Sequence, residues 1–351
     1  MNKIIGIHYD SEISTFFDDF RNLDFFLISP GREVTFKRKV EHALRFMMNL
    51  HRFLTKYKVF IFVCPPYFHF FCLPILKLCR KTVVTLVVDA YSEIAKERFW
   101  QAPLHVVLLR KLLFPFYLLS ELVSIKMSDK VFCVSKYLVK KFGRFNQNVF
   151  YTPNGAYVSF VSKVRPAKVD FDYIYYMGGF LKWRGIDLLV KAFETIRKNH
   201  DVKLLLAGGN EEELRYYPEL KSLKLKDILY LGNLPHEEAI SYLKRAKIAV
   251  LPNRNTIFSR TISSIKVFEY IAAEVPQVCT NSGEHADWVR KLGVGIVVKD
   301  TPEDIARGIM KLLEDKKLYN KLKRNCKKRK WEIDSKRLRA AWYDYLMRVG
   351  K

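Results

Sequence analysis

From Lys3 to Val298 the chain repeats one pattern: a short apolar run rich in β-branched and aromatic residues, then a stretch with helical spacing. Few architectures accept such alternation. Strands apolar on both faces must be covered by helices above and below, which is α/β layering on parallel sheets. In the first half the strand-like runs are Lys3–His8, Phe25–Ile28, Val59–Cys64, Thr82–Val88, Lys130–Val134 and Val149–Thr152, with helical patterns between them such as Lys37–Lys56 and Lys136–Phe142. A polar, basic interval at Val161–Val169 interrupts the series, which then begins afresh with Tyr173–Met177, Lys203–Ala207, Ile228–Leu231, Ile248–Leu251, Gln277–Thr280 and Gly295–Val298. We read two doubly wound, Rossmann-like domains in tandem, 1–165 and 166–331, and a helical tail, 332–351, expected to return to the first domain. Ligands of such sheets bind beyond the carboxyl ends of the strands, so a cleft between the domains is the expected active site.

Composition narrows the choice of partner. With 49% apolar residues in 351, the chain can fill two cores, and low-complexity disorder is excluded. The net charge of +25, spread over both halves, favours phosphorylated small molecules, anionic lipid or nucleic acid. No nucleic-acid module with stacking aromatics is visible, so nucleic acid is not expected. The six cysteines show neither a C-x-x-C pair nor zinc-like spacing, and the opening Met1–Ile7 reads as a strand too short for a secretory signal. A reduced, cytoplasmic, cytosol-facing protein without a metal site is expected. Pro65, Pro66 and Pro74 break Val59–Leu76 as a membrane span, whereas Pro103–Val123 suits either a core helix or a helix pair lying on a membrane surface. The basic run Lys316–Lys330 reads first as a solvated helix face, second as a patch for lipid phosphate.

Two segments carry chemistry. In the first, Tyr175–Asp187, a strand ends in Gly178 and Gly179, a short loop holds Lys182 and Arg184, and a helix starts near Ile186. Glycines allow a phosphate to approach the backbone, a helix amino terminus offers N–H donors, and the two cations can clamp a diphosphate. In the second, Ser263–Ala273, Ser263 or Ser264 is a good N-cap, and Lys266 and Glu269 share a face of the helix it opens. An acid so placed can accept both hydroxyls of a ribose while Lys266 and the cap amides meet phosphate.

On these residues the second half resembles the donor domain of a family 4 glycosyltransferase of the GT-B fold. Gly178–Asp187 is similar to that family's G-x-L…K-G-x-D segment, Leu204–Gly209 to its L-x-I-x-G-x-G, Tyr230–Leu234 to F-x-G-x-V, Ala246–Pro252 to A-D-x-x-x-x-P, and Ser263–Ala273 to S-P-x-K-x-x-E-Y-M-A. In the first half Ser128–Ser135 resembles A-D-x-V-I-x-V-S, and Pro153-Asn154-Gly155 resembles the P-N-G-V turn. The likeness runs from about Ser128 to Leu313 and is weak before that.

The resemblance implies two Rossmann-like domains facing each other across a cleft and a retaining, metal-independent transfer of sugar from a nucleotide diphosphate sugar, with no cofactor beyond the donor itself. It puts Glu269 on the nucleotide ribose and Arg184 at the phosphate-binding lysine position, with Lys182 assisting. The donor set is Gly178, Gly179, Lys182, Arg184, Ser263, Ser264, Lys266 and Glu269; Lys182, Arg184 and Lys266 stabilise the leaving diphosphate. Asp89, where the family has His-Asp, is the first candidate on the acceptor side, with Glu93 beside it. The chain departs from the family at Thr261, in place of the first acid of an E-x7-E pair, at Asn253–Arg260, in place of a Gly-rich loop, and at Phe180, in place of an arginine. The apolar, basic Pro103–Lys126 points to docking on an anionic membrane, hence to a lipid-linked glycan acceptor and polysaccharide synthesis. The competing readings are a nucleotide-sugar epimerase and a non-catalytic nucleotide-sugar-binding protein.

Overall fold

Each apolar run identified above becomes a strand. The computed structural model describes residues 3–7, 25–28, 41, 44–64, 67–88, 90, 92–93, 104–214, 217 and 227–349. The chain divides into two units, one reaching to Pro153 and resuming at Ala340, the other Asn154–Arg339.

In the first unit β1 (Lys3–Ile7), β2 (Phe25–Ile28), β3 (Tyr57–Cys64), β4 (Thr82–Val87), β5 (Lys130–Cys133) and β6 (Val149–Tyr151) form a parallel sheet in the order β2-β1-β3-β4-β5-β6. One face packs Val59, Ile61, Val84 and Leu86 against Ile125, Leu138 and Trp342; the other packs Phe60, Phe62 and Val83 against Leu73 and Leu76. Asp129, in the segment resembling A-D-x-V, explains why an acid stands there. One carboxylate oxygen accepts from the Val83 amide at 2.8 Å and the other from Lys77 at 2.5 Å, tying β5 to β4. Pro103–Val123 is not a helix pair: a single helix, Leu104–Met127, runs through Pro115.

The second unit repeats the plan with β7 (Tyr173–Met177), β8 (Lys203–Ala207), β9 (Ile228–Gly232), β10 (Ile248–Leu251), β11 (Gln277–Thr280) and β12 (Gly295–Val298), all parallel in the order β12-β11-β10-β7-β8-β9. Its last long helix, Lys316–Arg329, buries Leu322 and Cys326 and exposes Lys316, Lys317, Lys321, Lys323, Arg324, Lys327 and Lys328.

The division between units falls before the polar interval, and the reason is packing the sequence pattern does not show. The Asn154 side-chain amide donates to the carbonyl of Ser263 at 2.7 Å. A β-carbon on Gly155 would lie 2.7 Å from the Ile333 carbonyl oxygen, so this turn runs flush against 333–335. Lys244 then donates to the carbonyls of Val161, Ser162 and Val164 at the end of the helix Val158–Lys163. Residues 154–165 and 332–339 are thereby bound into the second unit, and the helix Ala340–Val349 into the first. There Trp342 is fully buried and meets Phe132 edge-on at 4.7 Å. Trp342→Ala is expected to cost about 3–5 kcal/mol, read as a lowered denaturation midpoint for the first unit in urea.

Candidate active site

Between β7 and β10 the direction in which strands are added to the second sheet reverses, and the loops leaving neighbouring strands diverge at their carboxyl ends. The loops there are the two the sequence singles out. Gly178 follows β7 at φ 137°, and a β-carbon on it would lie 2.0 Å from Cε and 2.8 Å from Nζ of Lys266. The lysine therefore lies on the bare backbone of Gly178, an approach only glycine permits. Arriving from β8, Gly208 leaves no more room: its β-carbon would lie 2.3 Å from the Gly178 carbonyl oxygen. The Gly179 carbonyl accepts from the Tyr176 hydroxyl at 2.7 Å, which fixes the loop from below.

Lys182–Arg184 form one 3-10 turn, and Gly185, at φ 67°, starts the helix Ile186–Ile196. The turn is locked to the loop after β10: a β-carbon on Gly185 would meet the Pro252 carbonyl oxygen at 2.1 Å, the Arg254 amide donates to the Trp183 carbonyl at 2.8 Å, and Arg254 pairs with Asp187. Lys182 is exposed. The Arg184 guanidinium lies 3.8 Å from the centre of the Trp183 ring, a cation–π contact, and its charge reaches Tyr176 and His285. His285 is fully enclosed; burial first, and the charges of Arg184 and Arg290 after it, pull it down to about 4, so it is neutral near pH 7.

The helix Ile265–Ala272 follows Ser264, but neither serine caps it with its side chain. The Ser263 hydroxyl instead accepts from the Asn154 amide at 3.2 Å, and both serines are buried. What they leave is a helix amino terminus whose first amides stand next to Lys266. One turn on, Glu269 is buried, and its Oε1 lies 2.7 Å from Nε2 of His236. That hydrogen bond raises the histidine above its ordinary value, against the effect of burial and of the Lys266 charge. His236 opens the helix His236–Arg245 and stacks on Phe160 with ring centres 5.4 Å apart and planes 13° apart.

The structure thus gathers Gly178, Gly179, Lys266 and Glu269, places Lys182 and Arg184 in the adjoining turn, and sets Ser263 and Ser264 beneath the helix start. Asp89 lies outside the described residues. Glu93 is 5% exposed and, with the fully buried Glu121, pairs with Lys141 at 3.3 Å, so it belongs to an internal network of the first unit. The departures from the family pattern also find reasons. The Phe180 ring is buried under Gly209 and against Tyr176, Tyr217 and Tyr230. Its amide donates to Glu213 at 2.8 Å. Thr261 is buried, its hydroxyl donating to the Phe258 carbonyl at 2.8 Å within the short helix Ile257–Thr261. Sequence reasoning missed His236, Glu213, His285 and Asn253, the last fully buried with its side-chain amide unpaired. His236 alone had a signal, standing two residues beyond the Tyr230–Leu234 motif.

Residues 160–329 match the family described as glycosyl transferases, group 1. The match lies within the second unit, Asn154–Arg339. A curated relative, an uncharacterized glycosyltransferase of Methanocaldococcus jannaschii, is 24% identical over 214 residues, 58% of this chain and 56% of its own length. The alignment therefore spans about half of that relative. Among solved structures, sucrose-phosphate synthase from Thermosynechococcus elongatus superposes with a TM-score of 0.77 at 14% identity, over 99% of this chain and 98% of that one. Anabaena HepE in complex with UDP superposes with a TM-score of 0.69 at 12% identity, over 98% and 91%. The fold of the whole chain is GT-B.

The His236–Glu269 pair gives this site a pH signature. Because the folded state raises the histidine, the pair's stabilisation is fully present below about pH 6.5, the unfolded value, and is lost as pH rises through the higher folded value. Thermal melts of wild type and His236→Gln between pH 5.5 and 9 should show the wild-type advantage greatest at the acid end and shrinking toward the alkaline end.

Proposed function

We propose that this protein transfers a sugar from a nucleoside diphosphate sugar to a glycan acceptor, with retention and without a metal. The match of residues 160–329 to the group 1 glycosyl transferases supports the class. The observation that carries the assignment of the site is Lys266 lying on Gly178, with Glu269 one turn beyond, at the switch point of the sheet. In this reading Glu269 accepts the ribose hydroxyls. Gly178 and Gly179 let the diphosphate reach the backbone, and the amides following Ser263 and Ser264, with Lys266, Lys182 and Arg184, take up its charge. Breaking the sugar–phosphate bond leaves negative charge on the diphosphate and an oxocarbenium-like sugar, so donors fixed in advance around that oxygen supply most of the acceleration. The complex of Anabaena HepE with UDP supports a nucleoside diphosphate as the ligand. Asp89 is proposed on the acceptor side.

For the acceptor, the helix Leu104–Met127 supplies the argument. It exposes Leu108, Leu112 and Leu119 along one stripe with Lys111 and Lys126, while Tyr117, Ser120, Glu121 and Ile125 face inward. The segment packed beside it exposes Phe71 and Leu78. Among the described residues no helix is long and apolar enough to cross a membrane. Leucines flanked by lysines suit shallow docking on anionic lipid and thus a lipid-linked acceptor.

Incubation with a panel of nucleotide sugars, without acceptor, should release nucleotide slowly from one of them; release from none, with no nucleotide bound, would leave the reading without support. Glu269→Ala should weaken nucleotide binding by about 1–3 kcal/mol in calorimetry. Sedimentation with phosphatidylglycerol vesicles should be lost in high salt and on Leu112→Glu.

A further inference from the structure

We propose that His236 is a positioning residue of the nucleotide site, holding the Glu269 carboxylate in the orientation that meets both ribose hydroxyls. The inference rests on the assignment of Glu269 to the ribose and goes beyond it. A glutamate's terminal torsion is soft, and a carboxylate left to rotate presents its two oxygens to a cis-diol only part of the time. Here Oε1 is held at 2.7 Å by Nε2 of His236. That contact uses one of the roughly four lone-pair sites of the carboxylate, so the diol can still find both oxygens.

The imidazole is itself oriented. It stacks on Phe160, nearly parallel at 13°, and its backbone begins a helix fixed by the preceding Pro235. Its side chain is 59% exposed, whereas that of Glu269 is 11% exposed, so the histidine covers the acid from the solvent side. Either protonation state of the ring can donate from Nε2; the neutral ring does so as the Nε2–H tautomer. Lys266 is the other charge felt by the ring. With the carboxylate fixed beforehand, the nucleotide need not order it on binding.

The test compares ribose recognition with nucleotide binding in general. The tightest binder among UDP, ADP, GDP and CDP is titrated calorimetrically beside its 2′,3′-dideoxy analogue, against wild type, His236→Ala, His236→Phe and His236→Gln. Wild type should prefer the ribonucleotide. His236→Ala and His236→Phe should lower that preference at least fivefold while leaving the dideoxy affinity within twofold, and His236→Gln, which can still donate near the same point, should keep the preference. An unchanged preference in the Ala and Phe variants, or equal weakening of both nucleotides, would overturn the role of His236. A wild type that binds without preferring the ribonucleotide would instead overturn the assignment of Glu269, and one that binds none of the four would overturn the donor site.

Discussion

The second unit is organised around a contact that leaves no space: the side chain of Lys266 laid across the backbone of Gly178. It requires a glycine in a left-handed conformation at the end of β7, a helix starting at Ile265, and a sheet whose strand order reverses between β7 and β10. The ammonium thereby stands where a strand end and a helix amino terminus converge. In the proposed reading a cation, a helix amino terminus and bare glycine backbone together receive a diphosphate. Glu269 stands one turn along the same helix.

Much of this was legible in the sequence, for a physical reason. Buried parallel strands are continuous apolar runs, so each strand of the second sheet was bounded to within a residue from Tyr173 to Val298. The helix expected near Ile186 does start there, after Gly185, whose positive φ admits few other residues. What failed was whatever depends on contacts remote in sequence. Residues 154–165 join the second unit because Asn154 bonds Ser263, 109 positions away. His236 reaches Glu269 across 33 positions. Leu104–Met127 stayed ambiguous because it is apolar on most of its surface and Pro115 reads as a break.

The departures from the family pattern follow a common logic. Where the family has an arginine, Phe180 has turned into the core and Glu213 has taken its amide. Where the family has the first acid of its pair, Thr261 closes a helical turn, and the preceding loop is anchored through Arg254 to Asp187 rather than left glycine-rich. In both places the substituted residue is held by contacts within the second unit.

The most direct measurement is a crystal structure with the bound nucleoside diphosphate. The account predicts the diphosphate against Gly178, Gly179 and the Lys266 ammonium, with the ribose hydroxyls on Glu269. A nucleotide seated elsewhere on the chain, or a crevice closed over Gly178 with the ligand excluded, would contradict it.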